Sequence, residues 1–435
     1  MRTMSQVRDL FFDEFYEELE SVIKGMEATQ DEPGTPPILA EEVERHWNLY
    51  RPDPDNREGA LVSVDGGVQL SRFAYGGFVT VGRALALIHW PGRDRMTEKR
   101  VKIHVQEVYD DRDRGFIPGY VRMIAEYDAA RAAAERVLDE GGRPVVLLDG
   151  SLYFSRFPYA IREYTHHPNL LAELFESITR LRTLARDQDL PLIGLTKDST
   201  VFYLHMRLLR DVVARAGLWR LAEVVKDAFS PLDLRMKAES LEAEDKTALE
   251  PFLERRPLCD TALMRTSTGG EGYTQPLLLA PSIYYGRSEA PALYERIRRS
   301  LPRETASRVV GGLRSFFDTP GVAVTYWRPP GADRPFRVDI LANALGHSEP
   351  WIRRTDNEFV EPGVDLGALE KVFNHMSHWF CNDVEYNLPL RQADQLARFD
   401  RELYRSRYEP FIIRRLERAG IDLTGTRRMQ REYEG

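Results

Sequence analysis

Two segments of this chain share one design. Val62-Ser63-Val64-Asp65-Gly66-Gly67 and Val146-Leu147-Leu148-Asp149-Gly150-Ser151 are each an apolar run closed by Asp-Gly. Runs of that kind read as buried strands. An aspartate at the strand end is fixed by the sheet and still able to face a cleft. The glycine lets the chain turn, or lets a ligand come close to the backbone. Two such carboxylates on strands of one sheet can share a divalent cation, because magnesium and manganese prefer oxygen ligands. A single copy would be read more simply, as a strand followed by a turn. The pair, with the companions below, favours a site.

The 435 residues suggest two or three domains, or one large domain with insertions. With 43% hydrophobic and 29% charged residues, a sizeable core and a well-solvated surface are both available. Two cysteines, Cys259 and Cys381, cannot make a disulfide framework, which fits a reducing cytosol. Met1 to Glu20 is charged throughout and has no apolar signal region. The most apolar stretch, Phe78 to Trp90, contains Arg83 and is too short to span a bilayer. A soluble, cytoplasmic protein with no membrane partner is expected. The net charge of −8 argues against a surface that coats nucleic acid everywhere, while leaving room for a local basic groove.

Residues 5–27 have the apolar spacing of an amphipathic helix, followed by a proline-rich linker at 29–37 and a short helix around 41–47. Three strand-like runs come next, Leu61–Val64, Gly76–His89 and Val101–Val108, in the pattern of an antiparallel meander. An alanine-rich helix, Tyr120 to Glu140, stops at Gly141-Gly142. The strand Pro144–Leu148, a helix at Leu170–Asp187, the strand Pro191–Leu195 and a helix near Val201–Ala216 form a βαβ-like unit. Three antiparallel strands continuing into parallel ones predict an α/β fold, the ribonuclease H-like mixed sheet flanked by helices. Around it are expected a helical N-terminal segment and linker (1–58), a core in two parts (59–228 and 267–400), an irregular charged insertion (229–266) and a helical tail (401–435). Further strands are expected at Pro276–Ala280, Val322–Trp327 and Phe336–Ala342, with helices at Leu293–Leu301 and Ala368–Trp379.

Glu126 lies on the alanine-rich helix, 23 residues before Asp149, so helix and strand can bring both to one sheet edge. Three carboxylates bind one or two hard cations, and two cations about 4 Å apart stabilise the attacking and leaving oxygens of phosphodiester cleavage. Without the two flanking motifs, Glu126 would read as a solvated helix glutamate. Other signals fail. His375, His378 and Cys381 offer three zinc-type ligands, but Trp379 and Phe380 interleave them and core packing explains the spacing better. Thr268-Gly269-Gly270-Glu271-Gly272 lacks the lysine of a phosphate-binding loop. No second aspartate follows Asp65 two residues on, and no Gly-x-Ser-x-Gly element is present.

Taken together, several segments resemble the NurA nuclease family: Ser63 to Gly67, Arg122 to Glu126, Val146 to Leu152, and Leu192-Ile193-Gly194-Leu195-Thr196-Lys197-Asp198-Ser199. The likeness extends to Tyr273-Thr274-Gln275-Pro276, Phe336-Arg337-Val338-Asp339 and Asn387-Leu388-Pro389-Leu390-Arg391-Gln392-Ala393-Asp394. The order and spacing cover roughly residues 60–400. The resemblance implies a ribonuclease H-like fold, a homodimer, and DNA cleavage with manganese or magnesium. It also implies a hexameric HerA-type ATPase translocase as partner, in DNA end resection or antiphage defence. By resemblance, Asp65, Glu126 and Asp149 are the metal-binding and catalytic carboxylates, and Lys197 and Arg337 contact DNA. Lys197 would meet a phosphate as a point charge; a plain surface lysine is the equal alternative. Where the family commonly has a histidine after Pro-Leu-x-x-Ala, this chain has Asp394. Aspartate ligates a hard cation at least as well as imidazole, but does not act as a near-neutral acid or base unless its pKa is raised.

The leading expectation is a metal-dependent DNA nuclease. The alternative is a non-catalytic DNA-processing subunit that keeps the fold as a platform for the translocase. A metal-dependent phosphatase for small phosphomonoesters is a weaker third.

Overall fold

Residues 60–72 form one strand of 13 residues that runs straight through Asp65-Gly66-Gly67. The expectation that Asp65 ends a strand is therefore corrected. Its two glycines do not turn the chain; they let other elements approach it. A Cβ on Gly67 would sit 2.6 Å from the carbonyl oxygen of Ala397, and one on Gly66 2.6 Å from Glu126 Oε1. Successive residues of a strand face opposite sides, so two layers close on this strand at neighbouring positions.

The computed structural model describes residues 12–27, 37–73, 77–106, 111–153, 158, 160–253, 257–281 and 289–421. Most of the expected linker at 29–37, the first residues of the expected N-terminal helix and the end of the tail lie outside them. In chain order the elements are α1 (Phe12–Glu27), α2 (Pro37–Arg45), β1 (Trp47–Leu49), β2 (Ala60–Arg72), β3 (Phe78–His89), β4 (Met96–Gln106), α3 (Ile117–Asp139) and β5 (Pro144–Asp149). Then come α4 (Ile161–His166), α5 (Pro168–Asp187), β6 (Leu192–Thr196), α6 (Tyr203–Arg215), α7 (Trp219–Asp227), α8 (Pro231–Ala238), α9 (Ala243–Leu253) and α10 (Asp260–Ser267). The remainder is β7 (Gly272–Thr274), β8 (Leu277–Leu279), α11 (Glu289–Ser300), α12 (Arg303–Phe317), β9 (Val322–Arg328), β10 (Phe336–Leu341), β11 (Glu358–Phe359), α13 (Gly367–His378), α14 (Leu388–Ala397) and α15 (Glu409–Arg418).

One sheet carries all these strands, in the order β1-β7-β9-β10-β6-β5-β2-β3-β4, with β8 also on β9 and β11 on β8. β2, β3 and β4 are an antiparallel meander, and β5 and β6 run parallel to β2. That is the expected mixed α/β sheet. β3, β5, β6 and the first half of β2 are almost wholly buried, as strands covered on both faces must be, while β2 from Gly66 on is mostly half-buried and edge strand β4 alternates between exposed and half-buried residues. On one face α3 buries Ala125, Ala129, Ala130, Ala133 and Ala134, small side chains that bring a helix close to the strands. Gly82 on β3 completes that approach, since a Cβ there would lie 2.8 Å from the Val121 carbonyl oxygen. On the other face Leu61, Leu147 and Ile193 pack with Leu369, Phe373 and Met376 of α13 and with Leu390 of α14.

Two compact units divide the chain. One holds residues 1–45 and 201–267, the other 46–200 and 268–435, which contains every strand. This division falls differently from the expected insertion at 229–266, and the described residues of that stretch are mostly helical rather than irregular. Within the first unit, Asp260 of α10 caps α6, accepting from the Leu204 and His205 N–H groups at 3.0 and 2.8 Å. A carboxylate on orphan N–H groups at a helix start complements the dipole as well as the bonds.

Candidate active site

β2 and β5 pair in parallel up to Val64 and Leu148. The next residues on the two strands are Asp65 and Asp149, so the repeated motif does place two carboxylates side by side. β5 ends there while β2 continues. Across this step comes Glu126 from α3, occupying the space that Gly66 leaves. Glu126 is 7% exposed and its Oε1 has no hydrogen-bond partner. Buried carboxylate oxygens are normally bonded.

The electrostatics follow from this crowding. Burial first, then the charges of Asp149 and Glu126, push Asp65 up to about 8; the Gly66 N–H, donating to Asp65 Oδ1 at 2.6 Å, works the other way. Burial also raises Glu126, opposed by Arg122, whose Nη1 lies 3.5 Å from Glu126 Oε1. Asp149 has two partners. Lys197 Nζ, just past the end of β6, is 3.5 Å from its Oδ2, and the Tyr386 hydroxyl donates to it. Lys197 also sits 5.0 Å from the Tyr386 ring centre. Sequence reasoning missed Tyr386. Its one signal is its place directly before Asn387-Leu388-Pro389.

That motif has a local reason. Asn387 is fully buried and caps α14 by accepting from the Leu390 N–H at 3.1 Å, with Pro389 in the first turn, where its missing N–H costs nothing. Because α14 starts at Leu388, Asp394 is well inside the helix, not in its first turn. Its Oδ2 lies 3.0 Å from Arg398 Nη2, and its charge is felt at both Asp65 and Tyr386.

Arg337 is placed elsewhere than a DNA contact requires. It is 2% exposed, and its Nε and Nη2 grip Asp339 at 2.8 and 3.0 Å. Asp339 Oδ2 also accepts from Ser151 Oγ at 2.7 Å and from the Leu152 N–H at 2.9 Å. The pair therefore anchors the turn that follows Asp149, and Arg337 acts through that turn. Gly194 on β6 makes room for it, since a Cβ there would lie 2.4 Å from the Gly150 carbonyl oxygen.

A second cluster lies apart from these residues in sequence. Asp113, His166 and His167 have ligand atoms all within 4.8 Å of one another, close enough to hold a metal ion. Asp113 is already engaged, however: its Oδ2 bonds His167 Nε2 at 2.9 Å, and Arg162 lies 3.3 Å from its Oδ1. The Asp65, Glu126 and Asp149 oxygens form a wider group than that.

The profile of the NurA domain matches residues 59–399, from the residue before β2 to just past α14. The chain belongs to the NurA family. No curated protein and no solved structure matches it. NurA membership gives it a nuclease-associated role in DNA processing. The family's nucleases are metal-dependent. In this NurA chain Asp65, Glu126, Asp149, Asp394, Lys197 and Tyr386 fall inside the matched span.

Proposed function

We propose that the chain is a metal-dependent DNA nuclease whose centre is Asp65, Glu126 and Asp149, with Asp394 as an outer carboxylate. One observation carries this reading: Glu126 Oε1 is buried without a hydrogen bond, beside Asp65 and Asp149, with only the Arg122 guanidinium 3.5 Å away as counter-charge. Such a group fits a cation. All the donors are oxygens, which suits manganese or magnesium over softer metals. When bound, the metal would supply charge for the attacking and leaving oxygens of a phosphodiester.

The chain's own residues supply the rest. Lys197 holds Asp149 in place and presents a point charge to a phosphate entering beside it. Tyr386 orients Asp149 through its hydroxyl. Arg337 and Asp339 keep the Gly150–Tyr153 turn from moving that carboxylate.

As in the family, the partners we propose are DNA, a HerA-type hexameric translocase and a second copy of the chain, acting in end resection or antiphage defence. The dimer draws support from α1, where Phe12, Phe15, Tyr16, Leu19, Val22 and Ile23 form an exposed apolar row. Among the described residues no helix is long and apolar enough to cross a membrane. The test is a manganese titration on linear duplex DNA and, in parallel, on a phosphomonoester. Degradation of DNA alone supports the reading. Turnover of the phosphomonoester alone would replace it with a phosphatase, and no turnover of either would leave a platform subunit.

A further inference from the structure

At the Leu61–His89 end of the β2–β3 ladder is a cleft of about 360 Å³, lined by residues of β2 and the segment before it, β3, the turn after β3 and α13. Its walls carry three arginines, Arg57, Arg93 and Arg95, two indoles, Trp90 and Trp379, and His89. None of its lining residues is acidic. Two buried nitrogens here, Arg57 Nε and His89 Nε2, have no hydrogen-bond partner. An orphaned buried guanidinium nitrogen, with no carboxylate in the lining to take it, calls for an acceptor-rich anion. The positive field registers on the neighbouring histidines: burial, then Arg95, lowers His89, and burial, then Arg57, lowers His378, with Asp55 acting the other way. Part of the charge is spoken for, since Arg93 bonds Glu140 at 2.9 Å and stacks over Trp90 at 3.8 Å. Arg57 has no such partner.

We infer that this cleft holds a nucleotide unit of a single DNA strand, with a phosphate on Arg57 and Arg95 and a base against Trp379. Guanidinium forks suit phosphate, and an aromatic face takes any base. The inference rests on the nuclease reading for its choice of DNA as the ligand. Geometry links the two places. Leu61 pairs with His89 and Asp65 with Leu85. Leu61 and Asp65 are thus on the same face of β2, four residues and about 13 Å apart. Arg95 Nη1 donates to Gln392 Oε1 at 3.0 Å, so the cleft's rim touches α14, the helix that carries Asp394. A strand held here has its next few nucleotides within reach of the carboxylates.

The test measures binding without cleavage. A 5′-phosphorylated, 3′-fluorescein-labelled dA8 is titrated with the full chain in EDTA, at several salt concentrations, and followed by anisotropy. The double variant Arg57→Gln/Arg95→Gln should bind about tenfold more weakly, and its slope of log Kd against log salt should fall by about 1 per arginine. Arg95 is exposed, so Arg95→Gln alone, losing about half of that slope, covers the case in which Arg57→Gln disturbs folding. With manganese, Arg95→Gln should raise the DNA concentration for half-maximal cleavage and leave the saturated rate unchanged. Asp149→Asn should bind the oligonucleotide in EDTA no more weakly than the wild type, whereas the arginine variants lose affinity. Free dAMP should compete poorly, and inorganic phosphate more poorly still. Unchanged affinity and salt slope in both arginine variants would overturn the inference. So would dAMP binding as tightly as dA8, which would make the cleft a mononucleotide site. If the wild type cleaves nothing yet the arginine variants lose binding, the nuclease reading fails and the cleft stands.

Discussion

A Cβ added to Gly66 would lie 2.6 Å from Glu126 Oε1 and 2.8 Å from Glu126 Cγ. The glycine of the first Asp-Gly motif is therefore a gap kept for a carboxylate from another element. Gly66→Ala should displace Glu126 while β2 keeps its pairing. We expect a stability loss of about 1–3 kcal/mol, as for overpacking a close contact, with a far larger loss of manganese affinity. Thermal unfolding and a manganese titration of DNA cleavage check this, and normal manganese dependence would contradict it.

In the metal-free protein the contribution of Asp65 to stability should be smaller at neutral pH than at pH 4. Its folded pKa is raised to about 8, from an ordinary 3.8, by burial and then by Asp149 and Glu126. A carboxyl with a raised folded pKa contributes stability that is full below about 3.8 and lost as pH rises through about 8. Asp65→Asn removes that dependence. In EDTA, the Tm of Asp65→Asn minus that of the wild type should grow between pH 4 and 8. A constant difference across that window would count against the crowded carboxylates.

Arg337 should matter to folding more than to DNA affinity. Its guanidinium is buried against Asp339 beneath the turn that follows Asp149. Breaking a buried pair by removing one partner typically costs about 3–5 kcal/mol. Arg337→Met should show a loss of that order in urea unfolding, with the salt slope of DNA binding unchanged. A normal midpoint with a reduced salt slope would restore the DNA-contact role expected from sequence.

Asp394 tests where this chain parts from its family. If it serves the metal group, Asp394→Asn should raise the manganese concentration for half-maximal cleavage, and Asp394→His should keep a good share of activity. If it serves only its pair with Arg398, 3.0 Å away and largely solvent-exposed, Asp394→Asn should cost under about 1 kcal/mol and leave turnover intact.

How much of this was legible follows from what each residue signals. Apolar runs before Asp65 and Asp149 gave away the strands, because β-branched and aliphatic residues report burial on both faces. The role of Gly66 was not legible, since a turn glycine and a close-approach glycine look alike in sequence. Glu126 was reached through the two Asp-Gly motifs that flank it and the family resemblance; nothing in an Ala-rich helix by itself tells a buried glutamate from Glu135, half-exposed on the same helix. The burial of Arg337 was not expected although its spacing held the clue: in a strand, Arg337 and Asp339 share one face, so a pair within the strand was available. Tyr386 carried no pattern of its own. Short helices such as α8 and α9, with weak apolar periodicity and Pro251 inside α9, hid the helical character of 229–266.

The central claim is that the two strand aspartates and Glu126 form a nuclease centre. The most direct measurement is manganese-dependent degradation of linear duplex DNA by purified wild type, Asp65→Ala and Asp149→Ala, with circular dichroism confirming that all three are folded. The wild type should degrade the DNA and both variants should leave it intact. Degradation at the wild-type rate by either folded variant would contradict the account.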